Sequence, residues 1–277
     1  MNKFMKIVCL CFALLLGLVI GYHVAIKNGR VMDEKKVAFR VELSKDDIDY
    51  DLSAMLSYLK CKYEKDGFKV DEFSYVGDLY PKRLNNAGIN VFVRGYSILL
   101  DKRINKDAYN IYLVSRFIGG HLEEFRNFDE YMTIQKGLAD AGKANGVDMT
   151  YLEQGACNNK VLDRSSAKDI VYIFEKDDEA IRSALASFVN VKAYNTFDFA
   201  KLSKSDKENV FKNAKMVIYG VNHELISDEH YLGFAIYDIL SYGVPVITNR
   251  INLRKNIKNL YYFVLADDLI SFINRLK

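Results

Sequence analysis

Residues 233–249, Gly-Phe-Ala-Ile-Tyr-Asp-Ile-Leu-Ser-Tyr-Gly-Val-Pro-Val-Ile-Thr-Asn, constrain the fold of this chain more than any other stretch. Phe234, Ile236, Ile239 and Leu240 are spaced to put an apolar stripe on one helix face. Gly243 follows the last apolar turn, where a left-handed C-terminal cap favours a residue without Cβ. Pro245 then prevents the helix from continuing. Val246 and Ile247 open a strand with no polar alternation, the pattern of burial on both faces. Thr248 and Asn249 are polar residues at its carboxyl end, where open parallel sheets place their ligands. A buried helix, a tight turn and a short buried strand, in that order, are parts of a parallel α/β sheet.

The rest of the chain repeats the theme. Strands are expected at 36–43, 68–76, 89–93, 109–114 and 128–135, with a last short one within 148–156. Between them lie a helix at 51–60, with Leu52, Met55, Leu56 and Leu59 inward, and another at 137–145. Asp51 or Ser53 is a candidate cap for the first helix, and Gly67 its terminator. Residues 158–168 are polar, lack apolar periodicity and read as a linker. Strands at 169–174, 189–194, 214–220 and 260–265 and helices at 177–188, 202–213 and 267–276 surround the opening segment. Strands separated by helices imply βαβ units and ligand sites at the strand carboxyl ends. The expected class is therefore α/β, with two Rossmann-like domains at 33–157 and 158–277 facing a cleft. A length of 277 residues accommodates both, and a hydrophobic content of 50% supplies their cores.

Residues 1–32 read differently. Positions 7–26 are nearly all apolar and long enough to span a bilayer as a helix. Lys3 and Lys6 precede them, Lys27 and Arg30 follow, and no small-x-small cleavage site stands before Lys27. This favours an uncleaved single-pass N-terminal transmembrane anchor over a cleaved signal. The positive charge beyond the segment leans toward cytoplasmic domains. A net charge of +3 without a Lys/Arg run argues against a nucleic-acid partner. Cys9 and Cys11 lie in the apolar segment, and Cys61 and Cys157 are far apart with no CxxC spacing, so neither a disulfide framework nor a zinc site is expected. Asp46-Asp47, Asp177-Asp178 and Asp267-Asp268 read as acids at helix starts, so no metal is expected.

Asp238, Gly243, Pro245, Val246 and Ile247 resemble the signature of the GT-B glycosyltransferases, in particular their group 1 branch: an acidic residue opening a small-residue helix, then Gly-x-Pro-Val-Ile. Three further stretches resemble the same family. Residues 148–156 are similar to the strand and turn before its interdomain linker, with Glu153 where the family has proline. Residues 214–220 are similar to the strand before its donor loop, and the acidic pair at 267–268 to its closing helix. The resemblance implies a transferase moving a sugar from a nucleotide-sugar to a glycan or lipid-linked acceptor at the membrane, for a cell-surface polysaccharide, with no other cofactor and no metal. It implies donor binding at Lys176, Glu224, Glu229, Gly233, Asp238 and Thr248. Catalysis would fall to His230, which stands in the first of two family carboxylate slots, and to His121, which follows Gly119-Gly120 and faces the acceptor. Carboxylates suit such a site because they accept bonds from sugar and ribose hydroxyls. A cation or helix start suits it because the leaving diphosphate gains charge. Read from its residues alone, His121 also fits a surface histidine. Two other functions fit the pattern: a periplasmic two-lobed solute-binding protein, which needs repeated chain crossings between lobes, and a catalytically inactive transferase-like domain.

Overall fold

A computed structural model describes residues 33–41, 43–71, 86–93, 106–114, 128–157, 160–220, 232–249, 257–263 and 266–275. The first sheet contains β1 (Asp33–Val41), β2 (Lys69–Val70), β3 (Ala87–Val93), β4 (Tyr109–Val114), β5 (Glu130–Thr133) and β6 (Met149–Tyr151), in the order β2-β1-β3-β4-β5-β6. The second contains β7 (Asp169–Phe174), β8 (Val191–Asn195), β9 (Ala214–Gly220), β10 (Val246–Thr248) and β11 (Leu260–Tyr262), in the order β11-β10-β9-β7-β8. Every strand pair is parallel. The helices are α1 (Tyr50–Lys65), α2 (Lys136–Ala144), α3 (Glu179–Leu185), α4 (Thr196–Lys201), α5 (Lys204–Asn213), α6 (Phe234–Ser241) and α7 (Ala266–Arg275).

Among the described residues, strands of the first sheet all precede residue 152 and strands of the second all follow residue 168. That single passage departs from the repeated crossings a two-lobed solute-binding protein needs. Strand order reverses between β1 and β3 in one sheet and between β7 and β9 in the other, so each sheet has a switch-point crevice at its carboxyl edge. The apolar segment at 1–32 lies outside the described residues; among those described, no helix is long and apolar enough to cross a membrane.

The opening segment folds as its pattern requires. Phe234, Ile236 and Ile239 are fully buried, and Gly243 has φ +79° just past the end of α6. Val246 and Ile247 pack into apolar clusters on opposite faces of the second sheet. One apolar core runs from Val37, Phe39, Val91 and Val93 of the first sheet through Leu52, Leu56 and Leu59 of α1. It continues to Val171, Val217 and the buried face of α6. The two domains thus share a hydrophobic interior, with α1 in it.

Three local features differ from the sequence reading. α1 runs beyond 51–60 at both ends: Asp49, two residues before the nearer expected cap, accepts from Leu52 N, and the helix continues to Lys65. Gly67, with φ +86°, follows its end. Residues 196–201, not assigned from sequence, form α4, capped by the Asn195 side chain and anchored by the fully buried Phe199; Ser203 then caps α5. Finally, Cys61 on α1 and Cys157 after β6 are joined by a disulfide, with Cα atoms 6.0 Å apart. No disulfide framework is expected from two cysteines so distant along the chain; the interdomain turn brings them together.

Arg164 secures the linker to the second domain. Its Nε and Nη2 donate to Ala214 O (3.1 and 2.8 Å), Nη2 also to Lys215 O (2.7 Å), and Nη1 to Gly243 O (2.5 Å). Leu162 N donates to Tyr242 O nearby.

Candidate functional site

The chain leaving the carboxyl end of β1 and the helix that follows β9 in sequence meet. α1 begins with Tyr50 and Asp51, and both side chains reach α6. The Tyr50 hydroxyl donates to Asp238 Oδ2 at 2.7 Å, and Asp51 Oδ1 accepts from Ala235 N at 2.9 Å. Gln154, in the turn after β6, completes the grip: its Oε1 accepts from both Leu232 N (3.0 Å) and Gly233 N (2.9 Å). Gly233 has φ +105°, a conformation that excludes most L side chains, and Gln154 holds its peptide from the other domain. We call these contacts the interdomain clasp.

Capping explains why it forms. The first N–H groups of a helix have no intrahelical acceptor, and the helix start is partly positive. Asp51 supplies a carboxylate and Gln154 an amide oxygen, so the N–H groups of 232, 233 and 235 are satisfied within the protein. A ligand phosphate at those groups must displace them. Replacing Gln154 with alanine leaves two buried N–H groups without their acceptor. It should cost about 2 kcal/mol in urea unfolding and speed hydrogen exchange at Leu232 and Gly233.

Around Asp238 the structure gathers a mixed polar and aromatic group. Tyr50 is almost fully buried, its N–H donates to Thr196 Oγ1 (3.1 Å), and its ring lies edge-on to Phe199 (4.7 Å). Lys207 Nζ stands 5.3 Å from the centre of that ring and donates to Ala200 O at 3.1 Å. Burial raises the Asp238 carboxyl above its usual range, while the Tyr50 hydroxyl, Lys207 and Lys204 pull it back. Burial lowers Lys207, opposed by Asp238. Burial, reinforced by Asp238, pushes the Tyr50 hydroxyl far up, so it remains a proton donor at any physiological pH.

The other expected site residues fall in three places. Lys176 is exposed in the turn after β7, beside the switch point where Glu175 N donates to Gly220 O at 3.3 Å. Thr248 is fully buried and donates its hydroxyl to Tyr219 O at 2.9 Å, bridging β10 and β9 rather than opening to solvent. His121, Glu224, Glu229 and His230 lie outside the described residues. Among the described residues no group of three or more His, Cys, Asp or Glu side chains could hold a metal. Sequence reading missed Tyr50, Asp51, Gln154 and Lys207 as neighbours of α6. The only local signal was an Asp at the start of α1, which it read as a cap.

No protein-family model matches the sequence, and no curated protein matches it. Solved structures do match. An alpha-glucosyltransferase in complex with UDP and a 13-mer DNA containing a central A:G mismatch is 10% identical, with 88% of this chain and 89% of that chain covered at a TM-score of 0.56. The same values for an alpha-glucosyltransferase with UDP and a 13-mer DNA containing an HMU base are 8%, 88%, 90% and 0.56. The fold is GT-B. A lipopolysaccharide outer core galactosyltransferase, WaaB, in its apo form, is 14% identical over 87% of this chain and 90% of its own, with a TM-score of 0.45. In GT-B terms the clasp joins the two Rossmann-like domains: α1 belongs to the first, α6 to the second, and Gln154 to the turn leading out of the first.

Proposed function

We propose that this protein is a glycosyltransferase that moves a sugar from a nucleotide-sugar to a glycan or lipid-linked acceptor at a membrane. The observation that carries this reading is the match, over nearly the full length of both chains, to an alpha-glucosyltransferase in complex with UDP. In this reading the donor binds at the carboxyl edge of the second sheet. Lys176 offsets the diphosphate, Asp238 accepts donor hydroxyls, Gly233 shapes the floor, and Thr248, its hydroxyl held by Tyr219 O, fixes the carboxyl end of β10. Glu224, Glu229 and His230, from the chain between β9 and α6, approach the sugar, and His121 faces the acceptor. Closure of the two domains excludes water, which otherwise competes as acceptor. The apolar segment at 7–26 anchors the enzyme, with its domains on the cytoplasmic side where nucleotide-sugars are made.

Tyr50 gives this reading a specific feature. Its hydroxyl already donates to Asp238, in the manner of a donor hydroxyl. Asp238 must therefore share its lone pairs or exchange Tyr50 for the ligand. The test is release of nucleoside diphosphate from a panel of nucleotide-sugars by the full-length chain, with membrane extract as acceptor source. One sugar nucleotide should turn over, and Asp238→Ala should slow it at least about tenfold. Absence of turnover with every donor, in a folded protein, overturns the proposal.

A further inference from the structure

The clasp has a covalent neighbour. Positions 51, 58 and 61 lie on one face of α1, and all three point to the interdomain turn or to α6. Asp51 holds Ala235 N, and the Tyr58 ring packs 5.5 Å from Phe234. A Cβ on Gly155 would stand 3.2 Å from Tyr58 Cε2, so the turn lies tight against this ring. Cys61 is bonded to Cys157, three residues beyond Gln154. Both cysteine residues are half-buried rather than sealed in the core.

We propose that Cys61 and Cys157 form a redox-controlled rivet on the clasp. Bonded, they hold α1, the interdomain turn and α6 as one piece. Reduced, they free the turn, Gln154 loses its fixed position, and the start of α6 loosens. The chemistry is thiol–disulfide exchange with a small disulfide such as oxidised glutathione. One protein thiol loses its proton to solvent, and its thiolate attacks the small disulfide, forming a mixed disulfide and expelling one glutathione thiolate. The second protein thiolate then displaces the other glutathione. Two protein thiols become one disulfide, and oxidised glutathione becomes two glutathione thiols that regain the two protons. The reverse reaction reopens the rivet, and in a reducing compartment such a bond is transient and sensing. The proposal does not depend on the transferase reading.

The test equilibrates the full-length chain, in mild detergent, against glutathione buffers from fully oxidised to fully reduced. Free thiols are alkylated and peptides mapped, and hydrogen exchange and melting are measured in both states. The expected result is a Cys61–Cys157 cross-linked peptide in oxidised buffer. Reduction should lower Tm by about 5–10 °C, since the bond spans a sequence separation of 96 residues. Amides of Leu232, Gly233 and Ala235 should exchange about tenfold faster on reduction, while those at the centre of β7 and β9 stay unchanged. Cys61→Ser and Cys157→Ser should match the reduced protein in either buffer, and replacing both Cys9 and Cys11 with serine should leave the response intact. Two results overturn the proposal: both thiols remain free in oxidised buffer, or the cross-link forms without changing protection at the start of α6.

Discussion

Replacing Arg164 with alanine is expected to lower the stability of the protein by about 4 kcal/mol and its Tm by roughly 8–12 °C. The guanidinium fills a gap between the linker, the start of β9 and the turn after α6, donating to the carbonyls of Ala214, Lys215 and Gly243. Alanine removes the donors and leaves three carbonyls without them, that of the buried Ala214 and those of the half-buried Lys215 and Gly243. The loss therefore combines charge-assisted hydrogen bonds with the cost of unsatisfied carbonyls. Arg164→Lys keeps the charge but not the planar fork that addresses three carbonyls at once, so it should recover less than half of the loss. Chemical denaturation of the three proteins checks both statements.

Asp238→Ala should cost about 2–3 kcal/mol, because it leaves the buried Tyr50 hydroxyl without its acceptor and Lys207 without the opposing charge of Asp238. Tyr50→Phe alone should cost less, and a double-mutant cycle should give a coupling of about 1–2 kcal/mol across the two domains. Asp238→Asn, which retains an acceptor for Tyr50, separates the hydrogen bond from the charge. Burial raises the Asp238 carboxyl above its unfolded value, so the folded protein binds this proton more tightly than the unfolded chain does. Its contribution is therefore most favourable below the unfolded value near pH 4 and declines as pH rises through the raised folded value. The stability of the wild type relative to Asp238→Asn should accordingly fall between pH 4 and neutrality. A rise over that range contradicts the direction of the shift.

Much of this architecture is written in local pattern. Val246-Ile247 advertises a strand buried on both faces, and the structure divides those two side chains between opposite apolar clusters. Leu52, Met55, Leu56 and Leu59 mark the inward face of α1, and all four are buried. Gly243 marks the end of α6 because a positive φ has a residue signature. What the pattern does not disclose is partnership across the chain. Asp51 satisfies every local criterion for capping its own helix, yet Asp49 does so and Asp51 caps α6, 184 positions away. Tyr50 reads as an ordinary aromatic at a helix start, but its hydroxyl meets Asp238. Cys61 and Cys157 have no sequence spacing that announces a bond, since their approach is created by the turn between the domains. Thr248 reads as a ligand contact at a strand end; the neighbouring strand β9 takes its hydroxyl instead, because a buried donor seeks the closest carbonyl. Periodicity reports the burial of a face and capping chemistry reports a local end, whereas contacts between domains depend on how two sheets are placed.

A nucleotide seated in the second domain should stabilise the full-length chain, and thermal melting with nucleoside diphosphates and their sugar conjugates measures this most directly. A ligand at a hundred times its dissociation constant stabilises the folded state by about 2.7 kcal/mol, which shifts Tm by roughly 5–8 °C. The expected result is a dose-dependent shift of this size for one nucleotide base, reduced in Asp238→Ala and Lys176→Ala. A shift with free sugars or amino acids, and none with any nucleotide or nucleotide-sugar, would contradict it.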